Sequence, residues 1–79
     1  MVQTTYQIQK TQGICGGNAR IRDTRIPVWV LVSFRQQGAP SEELLRNYPG
    51  LTQQDLELAW LYYQEHCEEI DRIIAEDND

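Results

Sequence analysis

Histidine and cysteine are scarce in this chain of 79 residues, which contains one histidine and two cysteines. His66 and Cys67 are neighbours, so on a helix their side chains point about 100° apart. Together with Cys15 they give three potential ligands, whereas a structural zinc site takes four from Cys and His. A Cys15–His66 nucleophilic pair would lack a third group to orient it. We therefore expect structural or surface roles for all three, no metal, no cofactor and no enzymatic activity.

Long apolar runs are also missing, which excludes a transmembrane helix. The first residues, Met-Val-Gln-Thr-Thr-Tyr, have neither the basic nor the apolar region of a secretion signal. We expect a cytoplasmic protein in which both cysteines are reduced thiols.

Basic residues are few and unevenly placed. Residues 1–40 contain five basic residues and one acid, whereas residues 41–79 contain two basic residues and eleven acids. The halves thus carry net charges of +4 and −9. Such polarity favours two faces with different partners or a head-to-tail fit between subunits, although an uneven solvated surface would look the same.

The length and the 41% hydrophobic content indicate a single globular domain over residues 1–79. We divide it into a ribbon arm (residues 1–26), a helical body (residues 27–75) and a frayed tail (residues 76–79). So small a core is marginally stable, which favours a homodimer.

The arm shows two weak strand signals. Tyr6, Ile8 and Lys10 alternate with glutamines, and a second apolar segment turns at Asp23-Thr24, where aspartate tolerates a left-handed conformation. Between them, Gly16-Gly17-Asn18 is either an anion-binding nest or a turn that only shapes the ribbon, and the turn is favoured. The absence of a following Gly-Lys-Ser/Thr excludes a P-loop.

Three helices are predicted in the body. The first spans residues 28–37 and stops at Gly38, and the second begins with Ser41 as its N-cap and ends at Pro49-Gly50.

The third helix begins after Thr52, with Asp55 completing a capping box. An apolar stripe that includes Cys67, Ile70 and Ile74 extends it to about residue 75, with a bend left open. A tight glycine turn between two helices is typical of a helix-turn-helix.

The sequence resembles the bacterial domain of unknown function 433. The landmarks of that resemblance are Cys15-Gly16-Gly17, Ile21-Arg22, Thr24-Arg25-Ile26-Pro27-Val28, Gly38, Glu43 with Leu45, and Tyr48-Pro49-Gly50-Leu51-Thr52. It departs from the family at Asp23, where glycine is usual, and at Asn18-Ala19, where Lys-Pro is frequent. The resemblance implies a homeodomain-like three-helix fold. Together with the short N-terminal β-ribbon predicted from the residues, this gives a mainly α protein. The resemblance also implies an antitoxin whose toxin partner resembles a PIN-type ribonuclease.

Two surfaces are candidates for binding. Arg20, Arg22 and Arg25 would follow DNA phosphates if the protein is a DNA-binding transcriptional regulator, or they would lie in solvent or pair with acids of a second subunit. The exposed positions of the third helix are mostly acidic, which argues against that helix reading DNA.

The third helix carries surplus apolar residues, Leu58, Leu61 and Tyr62, off its main stripe. They predict a protein interface, unless the ribbon covers them. The acids that follow, Glu65, Glu68 and Glu69, would engage a basic surface on a toxin-like ribonuclease.

Overall fold

The computed structural model describes residues 8–77. It is mainly helical with a small antiparallel ribbon near its start, as the sequence predicts, and Tyr6 lies outside the described residues. The elements are β1 (Ile8–Gln9), β2 (Arg20–Ile21), α1 (Val28–Gln36), α2 (Ser41–Asn47), α3 (Gln53–Glu65) and α4 (Cys67–Asp77). Within residues 8–77, every helix is too short or too polar to cross a membrane.

The ribbon is built from β1 and β2 and extended by a turn. Ile8 lies opposite Ile21 in the antiparallel pair, and the backbone N–H of Ile21 donates to the carbonyl oxygen of Ile26 at 2.9 Å. The chain therefore reverses around the predicted Asp23-Thr24 position. The left-handed residue there is Arg22, with φ 45°, and not Asp23.

The glycine-rich segment before β2 forms one 3-10 turn, Cys15–Gly17. Gly16 and Gly17 have φ values of 64° and 80°, a region that glycine reaches without strain. The N–H groups of Gly17 and Asn18 donate to the carbonyl oxygens of Ile14 and Cys15. Because two amides that an anion nest would use are already bonded, this segment works as a turn.

The first two helices begin and end close to the predicted residues. Gly38, with φ 97°, follows α1 and reverses the chain. The prediction that Ser41 caps the second helix is wrong by one residue, because Pro40 occupies the N-cap position and Ser41 is the first helical residue.

The predicted capping box of the third helix is confirmed. The Thr52 hydroxyl accepts from the Asp55 N–H at 3.1 Å, and the Asp55 carboxylate accepts from the Thr52 N–H at 3.0 Å. The helical stretch then breaks at His66, so the bend left open by the sequence separates two helices. The second of them, α4, extends to Asp77, past the expected start of the frayed tail; the last two residues of that tail lie outside the described residues.

The break at His66 folds α4 back onto the body. α1 packs against both α3 and α4, and Ile70 of α4 is 1% exposed. The prediction that Cys67 lies on the apolar stripe is wrong, because the change of direction leaves it exposed. The buried apolar core consists of Ala19, Ile21, Val28, Leu31, Val32, Leu44, Leu51, Leu56, Ala59 and Ile70.

Candidate functional site

Arg20, the first of the three arginines predicted to contact DNA, is 5% exposed. Its Nη1 donates to the carbonyl oxygens of Arg22 and Thr24 at 3.0 and 2.9 Å. Its Nη2 donates to Gln9 Oε1 and Thr11 Oγ1 at 3.1 and 2.9 Å. A guanidinium that satisfies four acceptors of the ribbon holds the turn in place and has little left to offer a phosphate.

Arg22 joins the ribbon to α3 through Asp55. Its Nε and Nη2 donate to the two carboxylate oxygens at 3.1 and 2.8 Å, and Nη2 also reaches the Gly50 carbonyl oxygen at 2.9 Å. Such a two-point pair fixes orientation as well as distance. The Arg22 guanidinium and the Thr52 N–H lower the pKa of the Asp55 carboxyl, although burial opposes the shift.

Arg25 alone of the three is exposed. Of the three arginines predicted to contact DNA, only Arg25 therefore has a free side chain, because Arg20 and Arg22 are bonded within the fold. The sequence missed the role of Asp55 as the partner of Arg22. In the sequence, the only indication of a special role for Asp55 is its capping-box position. No local pattern links Asp55 to Arg22, which lies 33 positions away.

The three apolar residues predicted for an interface differ in exposure. Leu61 is 54% exposed, whereas Leu58 and Tyr62 are half-buried. The Tyr62 ring stacks on His66 with centroids 4.2 Å apart, and its hydroxyl donates to Glu69 Oε2 at 3.0 Å. Burial and the bond to Glu69 raise the pKa of Tyr62. Tyr62 thus connects α3 with α4 at the point where the two helices meet. Leu61 is the most exposed of the three residues.

The predicted acidic residues lie around that corner. Glu65 and Glu68 are exposed, whereas Glu69 is half-buried and pairs with Lys10 of the arm at 3.1 Å. This bond raises the pKa of Lys10. The acids line an open groove of about 840 Å³, whose other lining residues are Lys10, Asn18, His66, Cys67, Arg72, Ile73 and Glu76.

The surface from Glu65 through α4, which we call the acidic corner, is strongly negative. Residues 65–77 contain six carboxylates and one arginine, a net charge of −5 with His66 neutral. Within residues 8–77, Glu65, Glu68, Glu76 and Asp77 form no ion pair. These four charges remain available to an external cation or basic protein.

A second surface lies on α3 beside Arg35 of α1. Glu57, Trp60, Leu61 and Gln64 recur at helical spacing and, with Arg35 and Tyr63, line a shallow groove of about 550 Å³. The Arg35 guanidinium carbon lies 4.6 Å from the centre of the Trp60 ring. We call Arg35, Glu57, Trp60, Leu61 and Gln64 the α3 outer face. Of this set, the sequence predicted only Leu61 as an interface residue. Arg35 could not be placed beside Trp60 without knowing how α1 crosses α3.

Cys15 is half-buried and Cys67 is exposed, and both are free thiols. Across residues 8–77, no three His, Cys, Asp or Glu side chains are grouped so that they could hold a metal ion.

These features define a class of small helical domain in which a β-ribbon is bonded to the third helix and two surfaces remain open. The family described as "Protein of unknown function (DUF433)" matches residues 8–63. The chain belongs to this family, which confirms the resemblance drawn from the sequence. The match ends inside α3, so the acidic corner lies beyond it.

A solved structure supports the same assignment. The crystal structure of a DUF433 member protein from Anabaena variabilis is 66% identical to this chain and superposes with a TM-score of 0.86. The similarity covers 89% of this chain and 69% of that one. None of the curated proteins matches this chain.

Proposed function

We propose that this protein is an antitoxin, acting by binding rather than by catalysis, that neutralises a PIN-like ribonuclease. The observation that carries the proposal is the acidic corner, where Glu65, Glu68, Glu76 and Asp77 are exposed and unpaired within residues 8–77. Exposed charges of one sign favour a partner of opposite charge, because they steer its approach and fix its orientation.

A ribonuclease has a surface of the required sign. Its RNA-binding groove must neutralise backbone phosphates, so it is lined by lysine and arginine. A helix that presents carboxylates to such a groove would compete with RNA for the same cations. The acidic corner lies beyond the family match at residue 63, so it is suited to distinguish one toxin from another.

The test is a pull-down from lysate of the native organism, with nuclease, followed by mass spectrometry and an RNA-cleavage assay of the captured protein. We expect one small basic protein whose ribonuclease activity the added chain inhibits. The Glu65→Lys/Glu68→Lys variant should weaken this capture by at least about tenfold, because two attractive contacts become repulsive.

The matched control is Glu42→Lys/Glu43→Lys. Like Glu68, these acids lie in the first turn of a helix and are exposed, but they belong to α2 and are remote from the acidic corner in sequence. We expect the control to retain the partner. Capture of no ribonuclease, or equal loss in both variants, would refute the proposed role of the acidic corner.

DNA binding through the arginine ribbon is the alternative function. It rests on Arg25, because Arg20 and Arg22 are bonded within the fold. A surface with one free arginine per chain releases few counterions, so we expect weak binding with a shallow dependence on salt. Tight DNA binding that is lost steeply with salt and abolished by Arg25→Ala would favour the regulator instead.

A further inference from the structure

The α3 outer face has an apolar centre exposed to solvent. Its Leu61 side chain is 54% exposed. Trp60 lies beside Leu61 and is only half-buried. Aromatic and apolar residues at the centre of a surface patch are typical anchors of a protein interface.

Arg35 covers one face of the Trp60 ring at 4.6 Å. Stacking uses the flat face of a guanidinium, whereas its N–H donors lie in the plane and point outwards from its edge. Within residues 8–77 no carboxylate lies within ion-pairing distance of Arg35. The N–H donors of Arg35 therefore remain free for an external acceptor beside the apolar centre.

Glu57 supplies the complementary charge on the same face. It is exposed, it lies one helical turn before Trp60, and it forms no ion pair among the described residues. An unpaired donor and an unpaired acceptor therefore line the same groove as Trp60.

We propose that the α3 outer face is the contact between two copies of this chain related by a two-fold axis. Such an interface uses the same patch twice, so it must be complementary to itself. An axis passing near Trp60 brings Arg35 of each protomer to the partner's Glu57 and buries Leu61 against its counterpart. A face with charges of one sign would repel its copy, whereas this face offers two equivalent ion pairs around an apolar centre. The proposal does not rest on the antitoxin function.

The first test is sedimentation equilibrium of the purified full chain from micromolar to millimolar concentration. We expect a reversible monomer–dimer equilibrium that Leu61→Asp weakens by at least about tenfold. Leu61→Met keeps an apolar side chain and should dimerise like the wild type. Circular dichroism and thermal melting verify that both variants fold, as expected for so exposed a position.

The second test reverses the charges. Arg35→Glu and Glu57→Arg should each weaken dimerisation, because like charges then meet, and the double variant should restore it with the pair exchanged. Arg46→Glu, an equal charge change on α2, is the control that leaves dimerisation unchanged. A monomer at every concentration, a dimer indifferent to Leu61→Asp, or a double variant no better than its parents would overturn the proposal.

Discussion

Asp55 links the ribbon to the start of α3 through one carboxylate. It bonds Arg22 of the ribbon, caps the first turn of α3 through the Thr52 N–H, and is 4% exposed. Burying a charge costs free energy unless bonds replace its hydration, and here three donors do so.

Replacing Asp55 with Asn should lower the free energy of unfolding by about 2 kcal/mol. The amide keeps an acceptor for the cap but removes the charge that balances Arg22. The loss stays below that of a fully buried pair, because the Arg22 side chain is 34% exposed and partly rehydrates. Urea denaturation measures the effect. The control is Glu65→Gln, which lies on the same helix but is exposed, and it should change the free energy of unfolding by less than about 0.5 kcal/mol. Equal losses in the two variants would contradict this account.

The contribution of Asp55 should also depend on pH. Because its pKa is lowered by folding, the stability it provides is present above the ordinary carboxyl pKa and is lost as the pH falls through the lowered value. The difference between wild type and Asp55→Asn should therefore be full at neutral pH and shrink below about pH 4. Urea titrations at several pH values check this; a constant difference would show that the ion pair contributes nothing.

At the scale of elements, the break between α3 and α4 decides what the end of the chain does. The His66 N–H still donates to the carbonyl oxygen of Tyr62, and the His66 carbonyl oxygen accepts from the Ile70 N–H. One residue thus ends one helix and starts the next. Because α4 changes direction here, Ile70 reaches the core beside α1.

Ile70→Ala should lower the free energy of unfolding by about 2–5 kcal/mol, since it leaves a cavity at the contact of α4 with the body. Ile73→Ala removes the same atoms from a half-buried site and should cost distinctly less. Chemical denaturation of both variants makes the comparison. Equal small losses would mean that α4 does not share the core.

The parts of the fold that follow from local chemistry could be predicted from the sequence. Thr52 with Asp55 starts α3, and Gly38 follows the end of α1, because capping and positive φ depend only on neighbouring residues. The break at His66 and the bonds of Arg20 and Arg22 could not be predicted from the sequence, since they depend on contacts across the fold. The same limit explains why Arg35 beside Trp60 was missed.

At the scale of the whole molecule, the family match and the hydrophobic core do not end together. The match stops at residue 63, whereas the core includes Ile70. The ribbon and the first three helices alone would leave part of α1 uncovered.

A chain ending at His66 should therefore be less stable than Ile70→Ala, because it loses the whole of α4 as well as that side chain. Urea denaturation and amide hydrogen exchange of the two proteins measure the difference, with the strongest loss of protection expected in α1. A truncated chain as stable as the wild type would show that α4 is an appendage to a complete three-helix core.

The bond between Arg22 and Asp55 constrains how this sequence can diverge. A substitution at Arg22 leaves the buried Asp55 carboxylate without its charge partner. A substitution at Asp55 removes the capping partner of Thr52. It also leaves the Arg22 guanidinium with the Gly50 carbonyl oxygen but without a carboxylate. A substitution at either position alone should therefore give a less stable protein. Among relatives, the two should be inherited as a pair or replaced as a pair, and the joint pattern of substitution should reveal this contact without a structure.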